Sequence, residues 1–351
     1  LMLDTQLEGE WAKDQVSAQG YIDLAKLDLM HLPQIVAADL GQISLQSDIM
    51  GSYDYGDNAY ADVYIHTMTY DDGVQIHPFN EIDLRFDSKP EKLTASFESG
   101  DATFYVNSDK SIADVIVSVD SVMTEINRQV DRTSIDVPEI QKHLPKFSGE
   151  MEILRNNSFY PIAEAFGYRF RQIKSTFSND ETFSFQFRIL GLNTAEQHID
   201  TVQIRFRPES DPNVYDYKFH ASYSAPKAAD SYVMDGKGAV YKDSISACFE
   251  YENGKYIKMY DVDASLALAP DTLRLRFTED PLIYAQRFTV NDENFIQVSQ
   301  FKDIAAQKLA IEADLDLDND HGLCVNLSTN KKDSVGNEVH LKVENLDMAY
   351  L

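Results

Sequence analysis

Apolar residues at every second position recur along most of this 351-residue chain. Successive side chains of a strand point to opposite faces, so a period of two predicts strands with one apolar and one polar face. Short turn sequences such as MDGKG and ENGK separate the runs and favour antiparallel hairpins. The predicted strands contain Ile82-Leu84-Phe86, Leu93-Ala95-Phe97, Phe104-Val106, Val115-Val117-Val119, Phe183-Phe185-Phe187-Ile189, Val202-Ile204-Phe206, Tyr215-Tyr217-Phe219, Leu273-Leu275-Phe277, Leu309-Ile311-Ala313-Leu315-Leu317, Leu323-Val325-Leu327 and Val339-Leu341-Val343.

Helical periodicity is confined to a few segments. Residues 120–144 predict a helical segment that opens at Asp120, and residues 157–167 predict a short helix with Pro161 in its first turn. A weaker helical pattern covers residues 32–40. So few helices cannot cover ten or more strands, and the apolar side must be buried by another sheet, by curling or by a ligand. The sequence therefore predicts a mainly β protein: an elongated antiparallel sheet curled lengthwise into a groove, with a few short helices.

A near-repeat of one phrase suggests how the chain is divided. LDLMHL at residues 27–32 returns almost unchanged as LDMAYL at residues 346–351, each time after a strand-like run. We interpret the chain as stacked repeat-like units, residues 1–146 and residues 147–351, joined by one continuous groove. No signal peptide is recognisable at the start. We expect the chain to be a piece of a longer protein.

The charge balance limits the choice of partners. The chain has 31 Lys and Arg against 58 Asp and Glu, a formal net charge of −27. So negative a surface repels phosphate backbones and anionic headgroups, which argues against nucleic acid and against lying flat on an anionic membrane. The only two cysteines, Cys248 and Cys324, form no metal-binding motif. We predict that each is a small buried hydrophobic residue, and a single bridge between them stays open.

Catalytic and metal-binding signatures are missing from the sequence. It has no G-x-S-x-G, H-E-x-x-H, Walker or G-x-G-x-x-G motif. The alternating aspartates of residues 314–320 place His321 and Leu327 where an EF-hand loop that starts at Asp316 needs glycine and glutamate. We therefore predict no enzyme activity, no cofactor and no metal site.

The apolar face of the predicted strands is the candidate binding surface. If the sheet curls without closing, its lining can shield acyl chains, at about 0.8 kcal/mol for each buried methylene. The same pattern is also what the filled core of a β-sandwich requires. The candidate lining residues are Phe183, Phe185, Phe187, Leu266, Leu268, Leu273, Leu275, Phe277, Leu309, Ile311, Leu315 and Leu317.

Several stretches resemble the repeats of AsmA-like proteins, and in particular the long TamB-like chains of Bacteroidetes. They are GYIDLAKLDLMHL, FYPIAEAFGYRF followed by FSFQFRILGL, LRLRFTEDPLIYAQRFTVNDENFIQVSQF and the terminal LKVENLDMAYL. The resemblance implies a periplasmic segment of a longer protein anchored in the inner membrane, folded as a β-taco. It also implies phospholipid transport toward the outer membrane and work with an outer-membrane barrel protein of the TamA type.

Three functional hypotheses follow. The first is a non-catalytic conduit that shields phospholipid acyl chains between the inner and outer membranes. The second is a scaffold or chaperone for outer-membrane protein assembly, which would pair with nascent strands at its sheet edges. The third is a surface adhesin or glycan-binding protein, in which the apolar face is only a core.

Overall fold

A computed structural model describes residues 2–28, 41–54, 58–71, 73–157, 159–194, 198–227, 230–300, 310–332 and 336–345. Strands account for 63% of the chain, and every described pairing that has a defined register is antiparallel. Contacts divide the chain into two compact units. Unit 1 comprises residues 1–121 and 143–202, and unit 2 comprises residues 122–142 and 203–351. The mainly β antiparallel architecture predicted from the sequence is confirmed. The predicted boundary after residue 146 concerns repeats in the sequence, which these compact units do not test, and it stays a prediction.

Unit 1 contains an antiparallel sheet in which most neighbours along the chain are also neighbours in space. Strand β5 pairs with the end of β4, and the others pair in the order β1–β2–β3–β4–β6–β7–β8–β9–β10–β11. The next strand, β12, crosses the boundary between the units. The strands are β1 Met2–Trp11, β2 Gln15–Asp28, β3 Gln42–Asp54, β4 Ala59–Asp71, β5 Ile76–Pro78, β6 Ile82–Lys89, β7 Lys92–Ser99, β8 Ala102–Ser108, β9 Phe147–Ile153, β10 Gln172–Ser178, β11 Ser184–Asn193 and β12 His198–Arg207.

Unit 2 also contains an antiparallel meander. Its strands pair in the order β13–β14–β15–β16–β17–β20–β21–β22–β23, and a short β18–β19 hairpin joins β16 to β21. The strands are β13 Tyr215–Tyr223, β14 Tyr232–Val240, β15 Ser244–Asn253, β16 Lys258–Ala269, β17 Thr272–Phe277, β18 Leu282–Ile283, β19 Gln286–Val290, β20 Phe295–Ser299, β21 Ala310–Asn319, β22 Cys324–Lys332 and β23 Gly336–Glu344.

Three helices interrupt the described strands: α1 Ile112–Arg132, α2 Val137–Gln141 and α3 Tyr160–Ala165. Helices α2 and α3 lie within the segments predicted to be helical, whereas α1 begins at Ile112, so the predicted opening at Asp120 is wrong. The predicted strand Val115-Val117-Val119 is wrong, because these residues belong to α1. The helix starts after Ser111, whose Oγ accepts a hydrogen bond from the Asp114 amide at 3.2 Å. The buried and half-buried residues of this segment recur at spacings of three and four, which is the period of a helix and not of a strand. They include Ser111, Val115, Ser118, Val122, Glu125 and Gln129.

Some predictions fall outside the described residues. They are the helix at 32–40, the second copy of the repeated phrase and most of the first copy, of which Leu27 lies in β2. Both cysteines are free thiols and half-buried, so no bridge joins them in this structure.

Candidate functional site

The register of unit 1 lines up one row of side chains across ten strands. Residues directly opposite each other in antiparallel strands point to the same face of the sheet. One such row contains nine apolar residues or glycines and one serine. From β1 to β11 it consists of Leu7, Gly20, Ile49, Val63, Leu84, Phe97, Phe104, Met151, Ser175 and Phe187.

The neighbouring row on this face contains no polar side chain. It consists of Gly9, Ala18, Gly51, Ala61, Phe86, Ala95, Val106, Gly149, Phe177 and Phe185. We call these two rows the unit 1 face.

The opposite side of the same strands carries charges instead. One row there consists of Gln6, Tyr21, Asp48, Tyr64, Asp83, Glu98, Thr103, Glu152, Lys174 and Arg188. The sheet is thus apolar on one side and highly charged on the other.

The unit 1 face is only partly covered. Leu84, in the middle of a central strand, is 37% exposed, and most of the other large side chains of the face are half-buried. A leucine at such a position in a filled sandwich core would be buried. The middle of this face therefore remains accessible to an apolar ligand.

Unit 2 repeats the arrangement. One row crosses seven strands, from Tyr215 through Val240, Ile245, Leu266, Leu275 and Ile296 to Ala313. A second row consists of Tyr217, Gly238, Ala247, Ala264 and Phe277. A third row consists of Phe219, Gly236, Phe249 and Val262. We call these rows the unit 2 face; Phe249 on it is 40% exposed.

The structure places the predicted lining residues in three kinds of surroundings. Phe185 and Phe187 are half-buried on the unit 1 face, and Phe183 directly precedes β11. Those half-buried on the apolar side of unit 2 are Leu266, Leu268, Leu273, Leu275, Phe277 and Ile311. Leu315 and Leu317 are each 7% exposed and pack with buried Phe288, so they belong to a closed cluster. Leu309 lies outside the described residues.

Sequence reasoning missed the small residues of these faces and the aromatic rings that lie over them. The Phe177 ring covers Gly149, and the Tyr217 ring covers Gly238, whose added Cβ would lie 2.7 Å from Tyr217 Cζ. Glycine breaks the apolar alternation in sequence. Only the register of the neighbouring strand shows that a ring fills the gap.

One end of the unit 2 face is closed by the connection that follows α1. The Tyr215 hydroxyl donates to Gln141 at 2.9 Å, and Lys242 pairs with Asp136 at 2.9 Å. The Asp271 amide donates to Thr133 Oγ1 at 3.1 Å. Tyr215 is fully buried there. Through these contacts, residues 133–142 cover the strand ends at this end of the unit 2 face.

The other end of the unit 2 face carries a row of tyrosines whose rings are in contact with one another. Their ring centroids are 5.7, 6.2, 5.9 and 5.2 Å apart in sequence order along the row. Desolvation and the hydrogen bond to Tyr284 raise the pKa of Tyr260 to about 12. We call this set the tyrosine row: Tyr223, Tyr232, Tyr251, Tyr260 and Tyr284.

The polar side of unit 2 contains a cavity of about 510 Å³ that includes Lys218, His220, Asp235, Lys237 and Glu250 in its lining. Its charges are compensated within the protein: His220 lies 2.8 Å from Asp235, and Lys218 binds Glu209 at 2.9 Å. The polar side chains of this cavity are therefore already bonded to other groups of the protein.

Cys248, Glu250 and Asp261 lie close enough together to hold an ion, with ligand atoms within 4.8 Å of one another. However, Lys258 already pairs with both carboxylates, at 2.8 and 3.3 Å. Burial and the neighbouring Asp263 raise the pKa of the Cys248 thiol to about 11. A metal would need the thiolate and free carboxylates, so this cluster is poorly suited to one.

No helix among the described residues is long and apolar enough to cross a membrane. No family model matches the chain, and no curated protein or solved structure matches it either. The AsmA-like resemblance is therefore a hypothesis that depends on the quoted stretches alone.

Proposed function

We propose that this chain binds the acyl chains of phospholipids on its two apolar faces, as a non-catalytic segment of a periplasmic lipid conduit. The supporting observation is the pair of rows of unit 1, which cross ten strands with one polar side chain among twenty positions. Each row offers a ligand a path without a charge, while charged groups occupy the opposite side.

Partial exposure of these faces is what makes binding favourable. Covering an exposed apolar side chain releases about 25 cal/mol for each Å² removed from water. An acyl chain that lies along a strand covers several half-buried side chains, and the neighbouring strands offer it similar contacts. Such a surface holds a lipid and still lets it move along the row.

The resemblance to AsmA-like proteins suggests the setting for this activity. In this proposal the chain belongs to a longer protein anchored in the inner membrane, lies in the periplasm and passes phospholipid toward the outer membrane. An outer-membrane barrel protein of the TamA type would bind elsewhere on the full-length protein.

A second function, the assembly scaffold, is favoured by one observation. Among the described strands, β1 pairs only with β2 and β23 only with β22. Each therefore presents a free edge beside exposed apolar side chains, such as Trp11 at 81% and Leu341 at 67%. An extended strand of a client protein could add to either edge. Nothing comparable favours the adhesin or glycan-binding hypothesis.

The lipid content of the protein, purified without detergent, tests the main proposal. We expect extraction and mass spectrometry to recover phospholipid from the unchanged chain. Replacing Phe185 by glutamate places a carboxylate on the unit 1 face, where burial against an acyl chain costs several kcal/mol. Phe185→Glu should therefore lower the bound phospholipid about tenfold or more.

Gln186→Glu provides the matched control, because Gln186 is the next residue of β11 and points to the charged side. It should leave the bound phospholipid unchanged. Phe185→Asn, a neutral change, keeps the test valid if the glutamate variant loses its β-sheet circular dichroism. An unchanged chain without phospholipid, or equal losses in the Phe185 and Gln186 variants, would contradict acyl-chain binding.

A further inference from the structure

The tyrosine row lies at one rim of the unit 2 face. Tyr223 and Tyr232 are direct partners across β13 and β14, as are Tyr251 and Tyr260 across β15 and β16. Each of these four lies an even number of residues from the apolar positions of the face on its own strand, so its side chain points to the same side. All four lie near one end of their strands, and residues 133–142 contact the opposite end.

The apolar stretch between the two ends has the length of a lipid tail. On β15 the face runs from Ile245, beside the closed end, to Tyr251 in the row. Six residues of antiparallel strand span about 20 Å. One leaflet of a bilayer has a hydrocarbon thickness of roughly 15 Å, half of the whole core. An acyl chain laid along the strand therefore fits between the closed end and the tyrosines.

Tyrosine is suited to the boundary between an apolar surface and water. Its ring is apolar and its hydroxyl both donates and accepts hydrogen bonds, which is why tyrosines collect at membrane interfaces. Four of the five side chains are half-buried, and Tyr284 is 51% exposed.

Only one pair of rings in the row is stacked: Tyr232 and Tyr251 are 25° from parallel and 6.2 Å apart. The other three pairs are tilted or edge-on, at 55°, 64° and 60°. The row therefore combines close ring contacts with hydroxyls that can donate and accept hydrogen bonds.

We propose that the tyrosine row binds the headgroup end of a phospholipid whose acyl chains lie along the strands of unit 2, with their tips toward residues 133–142. This inference depends on the proposed acyl-chain binding. It adds the direction of the lipid on unit 2 and the residues that border its polar part.

Two photoreactive phospholipids test this direction on the unchanged full chain. One carries a diazirine in its headgroup, and the other carries it at the tip of an acyl chain. After illumination, peptide mass spectrometry locates the adducts. We expect headgroup adducts at the tyrosine row and tail-tip adducts near Ile245 and Leu266, at least fivefold enriched over the reverse assignment.

The outcomes separate the two claims. Adducts of both probes on the unit 2 face without this order, or in the reverse order, would overturn the proposed direction and leave acyl-chain binding intact. If neither probe labels the unit 1 face or the unit 2 face, acyl-chain binding itself fails.

A double variant separates headgroup binding from simple cross-strand packing. Tyr251→Phe with Tyr260→Phe keeps both rings and removes both hydroxyls. We expect its headgroup adducts to spread along the strands toward Phe249, with the tail-tip adducts less localised as well. Tyr241→Phe, in the turn after β14 at the closed end, is the control and should change neither pattern. An unchanged pattern in the double variant would assign the row to packing alone.

Discussion

Gly236 and Gly238 are two residues apart on β14 and lie on the same side of the sheet, yet their surroundings differ. A Cβ added at Gly236 would have its nearest neighbour, Phe219 Cβ, at 3.7 Å, which is ordinary contact. A Cβ added at Gly238 would overlap the Ser246 carbonyl oxygen and lie 2.6 Å from the Tyr217 hydroxyl oxygen. One glycine is therefore required by its neighbours, and the other leaves room.

We predict that Gly238→Ala destabilises unit 2 by about 1–3 kcal/mol, because Tyr217 and the β15 backbone must both move. Gly236→Ala should be neutral or stabilising by about 0.5 kcal/mol, since alanine loses less backbone entropy in a strand. Urea unfolding followed by tyrosine fluorescence measures both. Equal effects of the two substitutions would contradict the close approach of the Ser246 carbonyl and the Tyr217 ring to Gly238.

The Cys248 thiol should react unusually slowly. Its pKa is raised from 9.0 to about 11, first by burial and then by Asp263. At pH 8 the thiolate fraction is therefore roughly a hundredfold below that of an ordinary cysteine, and alkylation by iodoacetamide should slow in proportion. Peptide mass spectrometry of the native chain, with the urea-unfolded chain as reference, gives the two rates. Similar rates in both states would contradict the burial.

The same raised pKa has a consequence for stability. Because folding disfavours the thiolate, the contribution of Cys248 to stability is complete below pH 9 and is lost as the pH rises through about 11. Cys248→Ser should remove part of the pH dependence of the urea midpoint in this window.

At the scale of elements, the strands were the most predictable part of the chain. Their apolar alternation matches a sheet that is apolar on one side only, as in β6, β7 and β17. The same cue failed at Val115-Val117-Val119, since four of the five residues 115–119 are valine or isoleucine, and such a run fits a helix stripe as well as a strand. Ser111, which caps the helix, lies before the run and carries no periodicity of its own.

Helix α2 depends on one residue, Asp136. As the N-cap, its carboxylate accepts a hydrogen bond from the Glu139 amide at 3.0 Å, and it forms an ion pair with Lys242 at 2.9 Å. Burial is the largest influence on its pKa and raises it, but Lys242 and the Glu139 amide together outweigh burial, so the pKa lies below 3.8. The resulting stability is present above pH 3.8 and is lost as the pH falls through the lower folded value.

We predict that Asp136→Ala destabilises unit 2 by about 1 kcal/mol at pH 7, through loss of the cap. Asp136→Asn keeps an oxygen acceptor and loses the ion pair, in which Lys242 is largely exposed, so it should cost less. Urea unfolding at pH 7 and near pH 3 measures both, and the cost of the asparagine variant should shrink at the lower pH. Equal costs at pH 7 would show that the cap is not formed.

At the scale of the whole molecule, the sequence predicted which residues are apolar but not which of them are covered. Leu275 and Leu315 belong to similar alternating runs, yet Leu275 is half-buried and Leu315 is closed in under Phe288. The difference arises because the β18–β19 hairpin pairs with β21, a contact between distant parts of the sequence. The tyrosine row could not be predicted from the sequence for the same reason, because its members are spread over about sixty residues.

In the proposed function, one side of each sheet binds acyl chains and the other does not. The chain has a single tryptophan, so Trp11→Phe provides a silent background in which one new tryptophan can be placed. Phospholipids brominated on their acyl chains quench tryptophan fluorescence on contact.

The decisive measurement compares Phe185→Trp with Gln186→Trp in this background, because the two positions are adjacent on β11 and face opposite sides. Acyl-chain binding predicts strong quenching of the tryptophan at position 185 and little at position 186. Equal quenching at both positions, or none at position 185, would contradict it.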